Sequence, residues 1–416
     1  MSISLPETFA KLPRYPLLYP YPSPIHPLPA LTRHLNHNPK STRAVSLFAK
    51  REDHSSPLAC AGNKYRKLEY IVPDILANSS PNGSGVATTT TLVTEGAIQS
   101  NHTVQVASVA RQLGLEAIVI LHKATGGGLT ASSDKTAFLR TGNVQITRLL
   151  GAEVRTLEDS STVDEGDPIT PILDELRARG KVPYWIPSGA SLHPLGGLGY
   201  ARCAFEIAAQ EKEQLGEGGR FDYVFVACGS GSTVGGLIAG FKLLQKMETQ
   251  GNKTEKVIGR KVIGILNSRT KPREYHEGRV LNFTRRAAHL IGLDPERDVT
   301  PGDVHLDDRF AGTAYGVLDS DVKQTLEFMA QQEGVILDPV YTVKVMRGAM
   351  HWIQEGELER DWSHHSDPSS NQSRVNALFI HSGGQSALSA EHVIKRGEEK
   401  RNRRDMSDET GEQALG

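Results

Sequence analysis

The chain has 416 residues, a formal net charge of −1 and 38% hydrophobic residues. This length predicts two or three folded units, and the near-neutral charge gives no broad field that would favour nucleic acid or a membrane surface. The three cysteines, Cys60, Cys203 and Cys228, lack the spacing of a disulfide framework or a zinc knuckle, so we expect a reducing, cytoplasmic location.

The proline-rich segment 1–40 predicts extended polypeptide with little helix, and residues 44–50 predict a strand that leads to Lys64. Lys64 follows a Gly-Asn turn and opens a predicted helix. If its amine is desolvated in a cleft, it loses its charge and can bond covalently to an aldehyde. The alternative is a basic helix start that faces water.

Beyond Lys64, strands and helices alternate, which predicts an α/β protein with parallel sheets. We predict strands at 91–94, 117–121, 153–156, 184–187, 223–228, 262–266 and 377–381. We predict a turn at 95–103, then helices at 104–113, 144–150, 171–179, 201–215, 237–244 and 327–332, and one that ends at residue 352. The polar stretch 361–374 predicts a surface insertion or a disordered loop, and residues 396–416 predict a disordered tail.

The Gly229–Gly236 loop lies between an apolar strand and a helix, where backbone N–H groups and Ser/Thr hydroxyls form an anion site. Its glycine spacing does not fit the dinucleotide fingerprint, and it lacks the Gly-Lys-Ser/Thr of an ATP loop. A single phosphate monoester fits this loop. The alternative is a tight turn in which the glycines serve packing alone.

Four further residues lie beside predicted turns. Ser100 and Asn101 stand at the head of a predicted helix, so they either face the cleft with Lys64 or serve as a helix cap. Tyr315 and Tyr341 are either buried for packing or catalytic. The sequence alone leaves both pairs of interpretations open.

No metal site is predicted, because His102 and the pair His364-His365 lack a convincing ligand spacing. A lysine placed for a covalent bond and a cup for one phosphate, on an α/β scaffold, together indicate pyridoxal phosphate.

Six motifs occur in order along nearly the whole chain: residues 61–69, 96–102, 196–199, 229–233, 338–341 and 381–384. Together they resemble the D-cysteine desulfhydrase / 1-aminocyclopropane-1-carboxylate (ACC) deaminase family of pyridoxal-phosphate enzymes. The resemblance implies a tryptophan-synthase-β-like fold (fold type II), with two open parallel-sheet α/β domains and the cofactor between them. The large, cofactor-binding domain would comprise residues 1–78 and 188–395, and the small domain residues 79–187.

The resemblance also implies roles for individual residues. Lys64 would bond to the cofactor, and catalysis would further involve Ser100, Tyr315 and Tyr341. The substrate carboxylate would be bound by Gln99, Ser100 and Asn101. The other cofactor-binding residues would be Asn101, Gly229, Ser230, Gly231, Ser232, Thr233, Thr342 and Ser382.

Two positions distinguish activities within this family. ACC deaminases carry a motif like Asp-Pro-Val-Tyr-Glu, in which the acid faces the pyridine nitrogen of the cofactor. This chain has Thr342 in place of that acid. ACC deaminases also carry an apolar residue where this chain has Ser382. A hydroxyl leaves the ring nitrogen neutral, which suffices when thiolate is the leaving group. Glu95 and Val104 depart from the family pattern, where a small and a basic residue are more usual.

We therefore expect a lyase that converts D-cysteine to sulfide, pyruvate and ammonia in amino-acid catabolism. ACC deaminase, which produces 2-oxobutyrate and ammonia, is the alternative, with other elimination or replacement enzymes of this fold, such as a cysteine synthase or a serine dehydratase. An alternative from another functional class is a catalytically silent binding protein that keeps the phosphate cup. The expected partner is a small amino acid, without nucleic acid or membrane, and the resemblance implies a homodimer.

Overall fold

The structure is a computed structural model that describes residues 3–37, 40, 43–77, 88–122, 142–157, 168–251, 259–268, 271–312, 319–365 and 374–389. The predicted tail at 396–416 lies outside these residues. None of the described helices combines the length and the apolarity that crossing a membrane requires.

The described strands form two sheets. The larger sheet has, in spatial order, β1 (Ile25–Pro27), β2 (Ala44–Arg51), β10 (Arg374–His381), β7 (Tyr223–Cys228), β8 (Lys261–Leu266) and β9 (His305–Asp307). Its neighbours run parallel, except that the edge strand β1 is antiparallel to β2. The smaller sheet is entirely parallel, in the order β5 (Glu153–Leu157), β4 (Glu116–His122), β3 (Thr91–Ala97) and β6 (Pro183–Ile186).

Helices cover both sheets. They are α1 (Glu7–Ala10), α2 (Pro29–His37), α3 (Asn63–Ala77), α4 (Asn101–Gln112), α5 (Gly142–Leu149), α6 (Thr170–Ala178), α7 (Leu198–Leu215), α8 (Ser232–Gly251), α9 (Arg273–Leu290), α10 (Ser320–Phe328), α11 (Thr342–Gln354) and α12 (Glu357–His365). The alternation of strands and helices confirms the predicted α/β class with parallel sheets. The division into domains at residues 78–79 and 187–188 stays a prediction.

The continuous apolar run of β7 is buried on both faces, as expected of a central parallel strand. Tyr223 and Phe225 pack in one core with residues of α11, while Val224 and Val226 pack in another with residues of α7 and α8. The smaller sheet is likewise covered on two sides, by α3 and α4 on one face and by α6 on the other. This double cover leaves the strand ends as the open edges where loops can gather.

The prediction of little helix in residues 1–40 is wrong. Two helices, α1 and α2, and the strand β1 lie in this segment. Pro6 precedes α1 and Pro29 opens α2. The first turn of a helix tolerates proline because its N–H groups have no helical partner.

Four other segments differ from the prediction. The predicted turn at 95–103 is shorter, because residues 95–97 continue β3 and residues 101–103 belong to α4. Helix α9 and strand β9 were not predicted. The predicted insertion at 361–374 is also narrower: α12 continues to His365 and β10 begins at Arg374, while residues 366–373 lie outside the described ones.

Candidate active site

The predicted site residues that the structure describes gather where parallel strands of both sheets end. The turns after β3, β6, β7 and β10 all lie at carboxyl ends of strands, and the first turns of α3 and α11 join them. In open α/β sheets, this edge is where ligands bind. Both sheets therefore contribute residues to one site, and hydrogen bonds connect these residues.

Lys64 lies in the first turn of α3. Its Nζ donates to Asn63 Oδ1 at 3.0 Å, and its backbone N–H donates to Gln105 Oε1 of α4 at 3.0 Å. Burial lowers the pKa of the Lys64 amine to about 8, although the negative charge of Asp338 opposes the shift. A minority of the amine, about a tenth at pH 7, is therefore neutral, far more than for an ordinary lysine, and the neutral form is the one that attacks carbonyls and accepts protons.

Asn63 connects Lys64 to two other turns. Its side-chain Nδ2 donates to Thr233 Oγ1 at 3.4 Å, and its backbone N–H donates to the Ser382 carbonyl oxygen at 3.2 Å. The amine and the glycine-rich loop after β7 therefore lie within two side-chain hydrogen bonds of each other. This juxtaposition is the geometry that a shared ligand requires.

The glycine-rich loop is shorter than predicted, because Ser232 already begins α8. Gly231 has a φ of +103°, a conformation that L side chains rarely adopt, so glycine is needed there. Hydroxyls from another turn complete the loop: Ser191 Oγ lies 2.6 Å from Ser230 Oγ and 2.8 Å from Ser232 Oγ. Hydroxyls at a helix N-terminus fit a phosphate monoester. We call this group, Ser191 with residues 229–233, the anion cradle.

Lys67 was missed by the sequence analysis. It is fully buried, and its Nζ donates to Ser232 Oγ and to the Gly189 carbonyl oxygen, both at 2.9 Å. Burial and the neighbouring Lys64 hold the pKa of Lys67 well below its usual range, and an anion in the cradle would favour its charged form. The spacing i, i+3 from Lys64 places both lysines on one face of α3, which is the signal that could have found it.

Residues 99–101 fit both predicted interpretations, a helix cap and a polar group that faces the cleft. Ser100 is the N-cap of α4, and its Oγ accepts from the backbone N–H of His102 at 3.2 Å. Asn143 Nδ2 donates to the Gln99 carbonyl oxygen at 2.8 Å and to Asn101 Oδ1 at 3.1 Å. Among the described residues, buried Gln99 Oε1 has no hydrogen-bond partner, so this side chain retains capacity for a polar ligand.

Thr342 and Ser382 are both buried. The Asp338 carboxylate accepts from the Thr342 backbone N–H at 2.8 Å and from Thr342 Oγ1 at 2.7 Å. Asp338 therefore orients the threonine hydroxyl at the start of α11. A methyl group on Gly384 would lie 2.7 Å from Asn101 Nδ2 and 2.9 Å from Asp338 Cβ, so the turn after β10, the start of α4 and the turn before α11 converge here.

Tyr341 is the predicted tyrosine that lies among the described residues. Tyr341 lies beside the anion cradle, since a methyl group on Gly229 would come 3.6 Å from its ring carbon Cε1. Tyr315 lies outside the described residues.

No group of His, Cys, Asp and Glu suited to hold a metal ion occurs in the described ranges. His102 is buried, and burial together with Lys64 and Lys67 keeps its pKa well below the ordinary value, so its ring is neutral. The side chains of residues 364–365 are not among those described.

Comparisons with known proteins identify the family of this chain. A family model described as pyridoxal-phosphate dependent enzyme matches residues 17–364. The chain is 36% identical to a 1-aminocyclopropane-1-carboxylate deaminase of Burkholderia cenocepacia, over 93% of this chain and 98% of the relative. It is 37% identical to the same enzyme of Burkholderia multivorans, over 92% of this chain and 98% of the relative.

Solved structures give the same result for the fold. A crystal structure described as that of an ACC deaminase homologue matches with a TM-score of 0.68 and 29% identity, over 92% of this chain and 94% of the other. Cysteine synthase from Entamoeba histolytica matches with a TM-score of 0.54 and 14% identity, over 95% and 94% of the two chains. At that identity the second match shows a common fold alone.

Proposed function

Because the chain belongs to the family of pyridoxal-phosphate dependent enzymes, we propose that it eliminates the β-substituent of a small amino acid, with D-cysteine as the preferred substrate. It is a pyridoxal-phosphate-dependent enzyme of the lyase or deaminase type with the tryptophan-synthase-β-like fold (fold type II). Which substrate it converts, and which residues do so, is our proposal.

The residues around Lys64 fit the cofactor. When bound, pyridoxal phosphate supplies an aldehyde for the substrate amine and a ring that withdraws electrons from the α-carbon. Lys64, with its pKa lowered to about 8, would hold the aldehyde between turnovers. The anion cradle and Lys67 would bind the phosphate. The observation that carries this assignment is the hydrogen-bonded path from Lys64 through Asn63 to Thr233.

The same residues would handle the substrate. Gln99, Ser100 and Asn101 would bind its carboxylate at the N-terminus of α4, where backbone N–H groups and the helix dipole favour a negative charge. The neutral amine of Lys64 would remove the α-proton as general base. Tyr341, beside the cradle, would position the substrate or protonate the leaving group. For D-cysteine and one water molecule, the products are sulfide, pyruvate and ammonia.

Position 342 supports D-cysteine over ACC. Opening a cyclopropane that has no α-hydrogen demands a strong electron sink, which a carboxylate beside the ring nitrogen would strengthen. This chain offers the Thr342 hydroxyl instead. Asp338, the nearest described carboxylate along this turn, accepts bonds from Thr342 itself and from the backbone N–H groups of residues 340–342. A weaker sink suffices when thiolate leaves.

ACC deaminase is the second candidate. The observation that favours it is the identity of 36–37% with curated ACC deaminases over nearly the full length of both chains. An assay with both substrates separates the two activities. The purified enzyme should release sulfide from D-cysteine faster than 2-oxobutyrate from ACC. The reverse ranking would defeat the interpretation of Thr342 and make ACC the substrate.

The role of Lys64 has its own test. Lys64→Ala should lose the visible absorption band of the lysine-bound cofactor and at least about a thousandfold in turnover, as expected when both a covalent group and a general base are removed. Lys181→Ala is the control, because Lys181 forms an exposed pair with Glu116 away from the site. A Lys64→Ala protein that keeps the band and the turnover would refute the assignment.

A further inference from the structure

Glu95 ends up inside the protein, although the sequence marked it only as a departure from the family pattern. It is 1% exposed and lies near the carboxyl end of β3. Both of its carboxylate oxygens are used: Oε2 accepts from Trp185 Nε1 at 2.7 Å, and Oε1 accepts from the Ser188 backbone N–H at 2.6 Å. Both partners belong to β6 or to the turn directly after it, so this carboxylate joins two neighbouring strands at the site's edge.

The turn that Glu95 holds, residues 187–191, packs directly against the anion cradle. The Gly189 carbonyl oxygen accepts from Lys67 Nζ, and Ser191 Oγ bonds with the hydroxyls of Ser230 and Ser232. A methyl group on Gly189 would lie only 2.2 Å from Ser230 Oγ. The path from Glu95 to the cradle therefore consists of one backbone hydrogen bond and one short turn.

This turn adopts a strained backbone. Gly189 has a φ of +62°, and Ala190, which has a side chain, has a φ of +56°. A non-glycine residue in the left-handed region is unfavourable and persists only where surrounding contacts hold it. The bond from the Ser188 N–H to Glu95 is such a contact, one residue before the strained pair.

We propose that Glu95 is a positioning residue for cofactor binding: it fixes the turn 187–191 so that Ser191 and the Gly189 carbonyl complete the phosphate site. This inference rests on the proposed function, since it takes the cradle to bind the cofactor phosphate. Glu95 itself touches neither the cradle nor Lys67. Its effect passes through Ser188, and the loss of that bond should loosen the grip on the phosphate.

Glu95→Gln is the sharpest test. A carboxylate accepts both N–H groups, whereas an amide offers one acceptor and turns its NH₂ donor toward the other N–H. The measurement is the rate at which purified holoenzyme loses pyridoxal phosphate to buffer containing inorganic phosphate, well below the unfolding temperature. We expect a loss at least about tenfold faster than that of the wild type, since hydrogen bonds to charged groups contribute about that factor or more.

A control and a second test variant accompany Glu95→Gln. Glu116→Gln changes an exposed glutamate at the opposite, amino end of the neighbouring strand β4, and it should not alter the rate of cofactor loss. Trp185→Phe removes the donor that orients the Glu95 carboxylate, which weakens its bond to the Ser188 N–H, so the variant should lose cofactor faster than the wild type by a smaller factor. If Glu95→Gln does not fold, Trp185→Phe carries the test.

The outcomes separate the inference from the proposed function. The positioning role would be overturned if Glu95→Gln lost cofactor at the wild-type rate. If only Trp185→Phe folds, the same result in that variant would overturn it. A glutamate with a purely structural role would lower the unfolding temperature without changing the rate of cofactor loss. Lys67→Met tests the cradle itself. If Lys67→Met retains cofactor as the wild type does, the phosphate assignment fails, whereas fast loss in Lys67→Met with no effect of Glu95→Gln refutes the inference alone.

Discussion

At the scale of single residues, the chemistry of the site depends on burying amines. Lys64 and Lys67 lie one helical turn apart, and burial lowers the pKa of each. Asp338 contributes a negative charge that partly restores the charge on Lys64. The balance gives an amine that is neutral often enough to react and is still held in place by Asn63.

The lowered pKa of Lys64 has a consequence for stability. Below pH 8 the amine is charged in the folded and the unfolded apoenzyme, and the folded state bears the burial penalty. Between about pH 8 and 10.5 the folded state loses the proton first, so the wild type gains stability as the pH rises. Lys64→Met should therefore be more stable than the wild type at pH 7, by a margin that vanishes toward pH 10.5.

Urea unfolding of apoenzyme at a series of pH values measures this margin. The same series on Lys181→Met, at an exposed lysine, should show a difference that varies little with pH. A stability difference for Lys64→Met that does not change between pH 7 and 10.5 would mean that the amine keeps an ordinary pKa.

Much of the site could be predicted at this scale, but its connections could not. Lys64 and residues 229–233 could be found from the sequence, because each follows a recognisable local pattern. Lys64 follows a Gly-Asn turn, and the glycines of residues 229–233 follow an apolar strand. Ser191 carries no such pattern, since nothing in its local sequence distinguishes it from a turn serine. Its contact with Ser230 arises because β6 and β7 belong to different sheets whose strand ends converge.

At the scale of elements, the motif Gly196–Gly199 owes its glycines to packing. A methyl group on Gly196 would lie 1.8 Å from the Ala190 carbonyl oxygen, and one on Gly199 would lie 2.0 Å from that of Arg66. The start of α7 therefore touches the backbone of α3 two residues beyond Lys64. Close approach of α7 sets the position of the helix that bears the reactive amine.

Gly199→Ala should consequently destabilise the protein, by about 1–3 kcal/mol in the free energy of unfolding, because backbone atoms cannot yield as a flexible side chain can. Gly278→Ala in α9 is the matched control. Nothing lies within 4 Å of the added methyl group there, so the better helix propensity of alanine should stabilise by roughly 0.5–1 kcal/mol. Chemical denaturation of both variants measures the two signs, and equal effects would contradict the packing explanation.

Element prediction succeeded where burial was continuous and failed where it was sparse. The run Tyr223–Cys228 is apolar throughout and was located correctly. Helix α9 is largely polar, and its buried residues are Val280, Phe283, Thr284, Ala287 and Ala288. That spacing of 3, 4, 7 and 8 residues is helical, so the signal was present but weak beside the surrounding charges. Proline content misled the prediction for α2, because Pro29 occupies its first position.

At the scale of the whole molecule, a buried ion network ties four parts of the chain together. Glu206 of α7 accepts from Arg66 Nη2 of α3 at 2.7 Å, from Lys50 Nζ of β2 at 2.5 Å and from the Ser23 backbone N–H at 3.0 Å. Glu52 binds the other side of the Arg66 guanidinium. Two carboxylates and two cations thus balance in the interior, and one of the cations, Arg66, belongs to the helix that carries Lys64.

Glu206→Gln would leave Lys50 and Arg66 facing Glu52 alone, with one buried positive charge uncompensated. Breaking a buried pair in this way is strongly destabilising, so we expect a loss of about 3–5 kcal/mol in the free energy of unfolding at pH 7. Asp174→Asn, in the exposed pair with Arg177, should change it by less than about 1 kcal/mol. Similar small losses in both variants would mean that water reaches the network.

The pH dependence of the stability lost in Glu206→Gln shows whether the loss comes from the charge of Glu206. Burial opposes the ionisation of Glu206, but Arg66 and Lys50 outweigh burial and hold its pKa well below the ordinary 4.5. The stabilisation from Glu206 is therefore fully present above pH 4.5 and is lost as the pH falls below that value, where the unfolded chain takes up the proton first. The free-energy difference between wild type and Glu206→Gln should accordingly be constant from pH 7 to about 5 and narrow below 4.5. A difference that stays constant in acid would place its cause in packing, since a change of shape at position 206 does not titrate.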